Sequence, residues 1–271
     1  MLKQCEWEKI NLIICEINKT KDIKKMRKEI LGALYKLVSF DLAYFYIGGV
    51  SNTNKVKLIA PVVVSKFSEE FNEKFIMNYE NHFIQVDYAK WICASSESIV
   101  YRESDLINND IRIKSSFYLD YLKPAGLINV AGVSIADKGH CIGAITFYRT
   151  EQHGDFTDKE LYIVYQLLPH LQNKLAVEHE AIKSDIIDNV SYQLAQGYNL
   201  TIREIEIIKL VCDGKNNKEI CDLLFISINT VKKHIANIFS KLKVDSRAKL
   251  LNYLIKNEKE LFEEGIVVKE L

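Results

Sequence analysis

The spacing of apolar residues along the chain changes from a helical period to a strand period and back to a helical one. Residues 2–38 carry two apolar stripes at helical spacing, with the polar stretch 18–22 between them. Strict alternation then begins at residue 42, which is typical of a half-buried strand. It predicts one face with Ala43, Phe45 and Ile47 and another with Tyr44 and Tyr46.

Turn signals divide the rest of the N-terminal part into short strands and helices. Residues 48–54 predict a hairpin turn into a second strand over 56–64, and Asp137-Lys138-Gly139 predicts a second hairpin. Helical spacing recurs over 67–79, 85–93 and 109–122, and a strand is predicted over 98–101. A long helical pattern over 156–196 follows, so this part reads as an α+β sheet domain flanked by helices.

Residues 200–252 predict short helices with clear start and stop signals. Thr201 followed by Glu204 has capping-box spacing, and Gly214 is placed to end that helix. Asn216 or Asn217 can cap the second helix, and Ser227 can cap the third. Two short helices about a tight turn are the outline of a helix-turn-helix.

The third of these helices has two unlike faces. Its apolar stripe, predicted to be buried, consists of Val231, Ile235, Ile238 and Leu242. The opposite face carries Asn229, Lys233, Ala236 and Ser240, flanked by Lys232 and Asn237. Amide and cationic side chains around a small residue suit close approach to base edges and phosphates. An ordinary solvated helix face is the alternative.

Charge is balanced over the whole chain of 271 residues but is unevenly distributed. Residues 197–256 hold 11 Lys/Arg against 6 Asp/Glu, whereas residues 1–196 hold 23 against 25. A local basic excess is expected of a nucleic-acid-binding segment, and its modest size favours binding by two copies. The six cysteines show no metal-ligand spacing and predict buried thiols in a reducing compartment. No membrane span or targeting signal is predicted, so we expect a cytoplasmic protein.

The C-terminal motifs NKEIcdlLfIS and TVKKHIaNIfsKLkVdsRakL resemble the DNA-binding domain of the LuxR/FixJ family of bacterial transcription regulators. Cys221 stands where that family usually has Ala. The resemblance implies a sequence-specific regulator that binds double-stranded DNA, usually as a homodimer, with RNA polymerase as a further partner. Together with the helix faces, it gives the expected DNA contacts Asn217, Lys218, Ser227, Asn229, Thr230, Lys232, Lys233, Ala236, Asn237 and Lys241.

The N-terminal motifs VYRESDLI, FYLDYLKPAG and ITFYRTEQHGDFTDKEL resemble the GAF-like sensory domains that precede LuxR-type modules. The resemblance implies a small-molecule pocket between the sheet and its covering helices. Tyr79, Asp87 and Trp91 are similar to a cluster in acyl-homoserine-lactone receptors, although Tyr88 stands where those have Pro. The expected ligand contacts are Tyr44, Tyr46, Tyr79, Asp87 and Trp91.

These patterns predict an α+β chain in four parts: N-terminal helices (1–38), a GAF-like sensory and dimerisation domain (39–180), a helical linker (181–196) and the helix-turn-helix domain (197–271). No catalytic, phosphoacceptor, metal or cofactor signature is present, so no enzyme is expected. One alternative makes the N-terminal domain a ligand-free docking module. The 3-4 spacing of Leu161, Val164, Leu168, Leu171 and Leu175 predicts a dimer seam or, alternatively, packing on the domain's own sheet.

Overall fold

The computed structural model describes residues 2–48 and 58–254, and within 181–196 it describes the backbone only. The chain divides into two compact units, Met1–His179 and Glu180–Leu271. The first contains a five-stranded sheet with helices, and the second is helical. The predicted fold class, α+β with a GAF-like antiparallel sheet domain and an all-α C-terminal domain, is confirmed.

The sheet is antiparallel throughout, with strand order β2-β1-β5-β4-β3. Its strands are β1 (Leu42–Gly48), β2 (Leu58–Ser65), β3 (Ile99–Arg102), β4 (Asn129–Asp137) and β5 (His140–Arg149). The predicted β4–β5 hairpin is confirmed: Lys138 and Gly139 have φ of 49° and 81°, as a tight hairpin turn requires. The other predicted turn, over 48–54, lies almost entirely outside the described residues.

The helices of the first unit cover both faces of the sheet. They are α1 (Gln4–Lys19), α2 (Ile23–Leu34), α3 (Glu69–Asn78), α4 (Glu103–Leu106), α5 (Asn109–Arg112), α6 (Lys123–Ala125) and α7 (Asp158–Tyr198), the last of which continues into the second unit. Two predicted helices were wrong in extent. Residues 85–93 form only a 3₁₀ turn, Lys90–Ala94, and 109–122 splits into α5 and a π-helical turn, Phe117–Leu122. In both segments the backbone departs from continuous α-helical hydrogen bonding, so the spacing of apolar residues overestimated the length of the helices.

The leucine-rich stripe of α7 packs inside its own unit. Val164, Leu168, Leu171 and Leu175 are buried, and a Leu175 methyl group lies against the backbone of Gly143 in β5. The preferred reading of these residues as a dimer seam was therefore wrong, and the alternative of packing on the sheet is confirmed. Among the described residues, no helix combines the length and apolarity needed to cross a membrane.

The second unit contains α8 (Ile202–Cys212), α9 (Asn217–Leu224), α10 (Ile228–Leu242) and a helix over 247–254 that we call α11. The predicted caps are confirmed, because Thr201, Asn216 and Ser227 each accept a backbone N–H from the first turn of their helix. Gly214 has φ of 77°, so it ends α8 in the left-handed region that favours glycine.

The prediction of buried thiols was wrong for most of the cysteines. All six are free; only Cys141 is buried, and Cys5 and Cys15 are exposed. Both exposed cysteines lie on α1, away from its buried stripe of isoleucines.

Candidate functional site

Helix α10 separates apolar from polar side chains. Val231, Ile238 and Leu242 are buried against the other helices of the unit. Ile235 was predicted to be fully buried with them but is only partly buried. The helix is therefore anchored by three residues spaced over three turns, which leaves its opposite side free.

The free side of α10 presents most of the predicted DNA contacts. We call this set of exposed residues the α10 outer face: Asn229, Lys232, Lys233, Ala236, Asn237 and Ser240. It combines amide donors and acceptors, two ammonium groups and one small residue. A surface of this chemistry on the second helix of a helix-turn-helix can enter a major groove.

Two predicted contacts serve the start of α10 itself. Ser227 Oγ accepts the backbone N–H of Thr230 at 3.1 Å, and the two hydroxyl groups are hydrogen-bonded at 2.9 Å. These side chains hold the turn between α9 and α10 in shape. Ser227 is nevertheless exposed, so its hydroxyl still faces solvent at the edge of the α10 outer face.

The lysines of the module fall into two groups. Lys241 is engaged inside the module, since its ammonium group donates to the Glu204 carboxylate at 2.7 Å and to the Asn199 carbonyl at 2.8 Å. Within the part of the chain that the structure describes, Lys218, Lys232 and Lys233 have no carboxylate within ion-pair distance. Their charges are thus available to a polyanion, whereas that of Lys241 is largely neutralised.

Buried Glu204 organises the base of the module. Burial alone would raise its pKa, but hydrogen bonds from the Lys241 ammonium and from Thr201 hold that pKa below the usual value. Asn217 begins α9 and is partly buried, while its neighbour Lys218 is exposed. The structure therefore brings Lys218 and the α10 outer face to the surface and assigns Lys241 to the interior contacts.

In the first unit, aromatic side chains fill the space between β1 and α3. Tyr44 and Tyr46 are buried there, and Tyr44 donates a hydrogen bond to the Asn72 carbonyl at 2.8 Å. Tyr79 donates to the Asp87 carboxylate at 2.8 Å. We call the whole group the tyrosine cluster: Tyr44, Tyr46, Tyr79, Asp87, Tyr101, Tyr121 and Tyr148.

The hydroxyl groups of this cluster lie in a buried environment. Burial raises the pKa of Tyr79, Tyr121 and Tyr148, and each phenol is further affected by the charge of its neighbours. Burial also raises the pKa of Asp87, although hydrogen bonds from the Ala89 N–H and the Tyr79 hydroxyl act in the opposite direction. Several polar groups thus lie inside an apolar layer, and two of them, Tyr79 and Asp87, are bonded to each other.

Three members of the tyrosine cluster were missed from the sequence. Tyr148 lies opposite Leu42 and beside the Tyr44 position, and Tyr101 pairs with Gly132 across β3 and β4. Tyr148 could have been found from the register of the β4–β5 hairpin, because the pairing of β5 with β1 places Tyr148 opposite Leu42. Tyr121 lies in a π-helical turn, and neither the helical nor the strand period predicts which way its side chain points. Its ring stacks on that of Phe75, with the ring centroids 4.4 Å apart.

Trp91 lies on the surface with 55% of its area exposed, so its predicted place inside the pocket was wrong. Trp91 lies in the 3₁₀ turn Lys90–Ala94 instead of the expected helix, and the buried side chain of this turn is Ile92. A cavity of about 350 Å³ lies in another part of the unit, lined by residues that include Leu37, Arg149, His153 and Glu160. Arg102 and Glu103 form ion pairs with Asp105 and Arg112.

The geometry defines a helix-turn-helix module that follows a sheet domain with a polar interior cluster. Residues 198–254 match the family model described as bacterial regulatory proteins, luxR family. The C-terminal domain of this chain belongs to that family.

Two curated bacterial regulatory proteins match a part of the chain. The chain is 52% identical over 59 residues to the transcriptional regulatory protein LiaR of Bacillus subtilis, which covers 22% of this chain and 28% of LiaR. It is 34% identical over 97 residues to the oxygen regulatory protein NreC of Staphylococcus epidermidis, which covers 35% of this chain and 44% of NreC. The chain thus spans less than half the length of these relatives.

Solved structures extend the similarity in fold to nearly the whole chain. Escherichia coli SdiA matches with a TM-score of 0.53 and 15% identity over 91% of this chain and 95% of that one. SdiA in complex with octanoyl-rac-glycerol matches with a TM-score of 0.53 and 16% identity, over 93% and 96%. At this identity the match concerns the fold.

Proposed function

We propose that this protein is a transcription regulator that binds double-stranded DNA through the α10 outer face. The observation that carries the proposal is the division of α10: three buried apolar anchors on one side, and amides, unpaired lysines and a small residue on the other. The luxR-family match over residues 198–254 supports the same function.

In this proposal, two copies of the chain bind DNA together as a dimer. One module offers only a few unpaired lysines, and each neutralised phosphate contributes a limited share of binding free energy. Helix-turn-helix proteins usually read two half-sites related by the symmetry of a dimer. The surface that joins the two copies is not the leucine stripe of α7, because that stripe is buried within its own unit. RNA polymerase is a further partner in this proposal.

The tyrosine cluster binds the small molecule that controls the regulator. Several phenol hydroxyls and one carboxylate are buried among aromatic rings, which is the combination of apolar wall and few polar groups found in small-molecule sites. Asn72 Oδ1, buried beside Tyr44, has no hydrogen-bond partner among the described residues. A ligand with an apolar body and hydroxyl or amide groups suits this environment. SdiA, similar in fold, has been solved with octanoyl-rac-glycerol.

A second candidate role for the first unit is the docking of a partner protein. The observation that favours it is the exposure of apolar side chains on one stretch, with Val86 at 46% and Trp91 at 55%. In that case the tyrosine cluster is core and Trp91 is the contact residue. Asp87→Asn and Trp91→Ala separate the two roles, because only the first alters a small-molecule response and only the second alters docking.

Selection of duplexes from a random pool by the full-length chain tests the DNA-binding proposal. We expect enrichment of one sequence that is repeated as two half-sites about one helical turn apart. The matched control is a chain with Asn229→Ala and Lys233→Ala, which should enrich no sequence while keeping its fold. A wild-type chain that enriches nothing, with or without added small molecules, contradicts the proposal.

A further inference from the structure

Helix α7 carries a second stripe on its solvent side, opposite the leucine-rich stripe that packs inside the unit. The exposed residues of the stretch 161–177 follow one another at spacings of three and four residues. We call them the α7 outer stripe: Tyr162, Tyr165, Pro169, Asn173 and Val177. Tyr162, Tyr165 and Val177 are exposed over 47%, 57% and 69% of their area. At the rise of an α-helix, the stripe is about 22 Å long.

The stretch that carries this stripe is nearly free of charge. Residues 161–177 contain no Asp, Glu or Arg, and their one lysine, Lys174, has a side chain that is 17% exposed and pairs with Glu178 at 3.0 Å. Helix α1 of the same unit differs, because Glu8 and Lys9 lie among its exposed residues. Exposed aromatic rings with few charges are the composition of the centre of a protein–protein interface.

The polar groups of the α7 outer stripe can pair with copies of themselves. A tyrosine hydroxyl and an asparagine amide each both donate and accept hydrogen bonds. Among the described residues, no side-chain hydrogen bond or ring contact engages Tyr162, Tyr165 or Asn173. In a two-fold interface each patch meets an identical patch, so charged groups would meet like charges there, whereas neutral groups that donate and accept are compatible.

We propose that the α7 outer stripe is the surface through which two copies of this chain associate. For the identity of the partner, the inference rests on the proposed function, in which two copies bind one duplex. Helix α7 spans Asp158–Tyr198 and so leads from the sheet domain to the DNA-binding module. The contact therefore lies on the element that connects the two parts of each copy.

The size of the stripe sets the strength of the contact. One helix face about four turns long is small beside the roughly 800 Å² per partner that specific interfaces bury. We therefore expect a dimer that dissociates on dilution and that DNA strengthens by holding both copies on one duplex. Large aromatic side chains near the centre of an interface contribute most of its binding free energy, so Tyr165 is the expected main contact.

Sedimentation of the full-length chain over a range of concentrations tests this surface. We expect a monomer–dimer equilibrium for the wild type and monomer alone for Tyr165→Glu and Val177→Glu, because each would bring unpaired carboxylates into a two-fold contact. The matched controls Met77→Glu and Ile111→Glu replace apolar residues exposed over 59% and 63% elsewhere in the same unit. They should leave the equilibrium unchanged. A wild type that stays monomeric, a dimer that survives both stripe variants, or a dimer that a control dissociates contradicts the proposal.

Milder variants keep the result independent of a folding defect. Tyr165→Ser and Val177→Ser remove apolar surface without adding charge, and each should raise the dissociation constant of the dimer about tenfold. Thermal unfolding at a concentration where the wild type is monomeric should be unchanged in every variant, because the replaced side chains are exposed. A dimer that weakens only in variants whose monomer unfolds earlier would contradict the proposal.

Duplex selection with the same chains separates this inference from the proposal of DNA binding. A wild-type dimer that Tyr165→Glu dissociates, but that enriches no sequence, would contradict DNA binding and support the surface. A monomeric wild type that enriches one unrepeated half-site would contradict the surface and support DNA binding.

Discussion

The two units differ in where their functional polar side chains lie: at the surface in the C-terminal unit and in the interior in the N-terminal unit. In the C-terminal unit the amides and lysines of α10 are outside, and Val231, Ile238 and Leu242 are inside. In the N-terminal unit the phenols of Tyr44 and Tyr46, with the Asp87 carboxylate, face the interior. Exposed polar groups keep their hydration, but buried ones need partners within the fold or in a ligand. The first arrangement suits a macromolecular partner and the second a small one.

The largest effect should come from breaking the anchored side of α10. Ile238 is fully buried, so Ile238→Ala should lower the free energy of unfolding of the helical unit by about 2–5 kcal/mol through cavity formation. Hydrogen exchange of peptides from α8 to α10, measured in the full-length chain, checks this. The neighbouring exposed residue supplies the control: Asn237→Ala should change protection by less than about 0.5 kcal/mol. Equal protection in both variants would mean that the anchored side is assigned wrongly.

The buried carboxylate of the helical unit should make its stability depend on pH. Glu204 accepts Lys241 Nζ and the Thr201 N–H, and its folded pKa lies below the ordinary 4.5. This stabilisation is present above about pH 4.5 and is lost as the pH falls through the folded pKa. Glu204→Gln should cost about 1–3 kcal/mol at pH 7 and progressively less below pH 4.5.

Urea unfolding at a series of pH values measures the effect of Glu204→Gln. Glu206 is a matched control because it pairs with Arg203 at the surface, so Glu206→Gln should cost less than about 1 kcal/mol. A Glu204→Gln penalty that does not change with pH would show that shape, rather than charge, is what the module requires.

The interior carboxylate of the N-terminal unit should behave in the opposite way. Because burial raises the folded pKa of Asp87 above 3.8, the charged form opposes folding at neutral pH. Asp87→Asn should therefore stabilise the sheet unit by about 1 kcal/mol at pH 7. The gain should shrink as the pH falls through the folded pKa and disappear below about 3.8, where the wild-type side chain becomes neutral in both states.

Thermal unfolding of the full-length chain at several pH values measures the gain, with exposed Asp120→Asn as the control. A gain in stability together with loss of the small-molecule response would identify Asp87 as a group kept for binding. Destabilisation by Asp87→Asn at neutral pH would instead assign the carboxylate to the core and favour the docking role.

The smallest effect should come from a single phosphate contact. Lys218 is exposed and has no ion pair among the described residues, so Lys218→Ala should weaken binding to all duplexes alike. The slope of log K against log salt should fall in magnitude by about 1. Lys249, which is paired with Asp245 at 2.5 Å, is the matched control. A loss confined to one sequence would show that Lys218 touches a base.

The C-terminal unit could be predicted closely because its signals are local. The caps at Thr201, Asn216 and Ser227 and the stripe of α10 each depend on residues within a few positions of one another. Lys241 is the exception, since its partner Glu204 is 37 residues away. No pattern along the chain indicates which lysine is neutralised by such a contact.

The N-terminal site could be predicted only in part because it depends on register and on irregular turns. Strand alternation placed Tyr44 and Tyr46 on one face, and that prediction is confirmed by the tyrosine cluster. The predicted location of Trp91 was wrong because a 3₁₀ turn replaces the expected helix.

The most direct test of the central claim is the affinity of Lys233→Ala for a selected duplex and for random duplexes at one salt concentration. Lys233 is exposed at the centre of the α10 outer face, opposite the buried anchors. We expect a loss of about 1–3 kcal/mol on the selected duplex, a much smaller loss on random duplexes, and unchanged thermal unfolding. An equal loss of affinity for the selected and the random duplexes would mean that Lys233 contacts only phosphate. Unchanged binding to the selected duplex would contradict the account, because DNA would then lie on another face of the module.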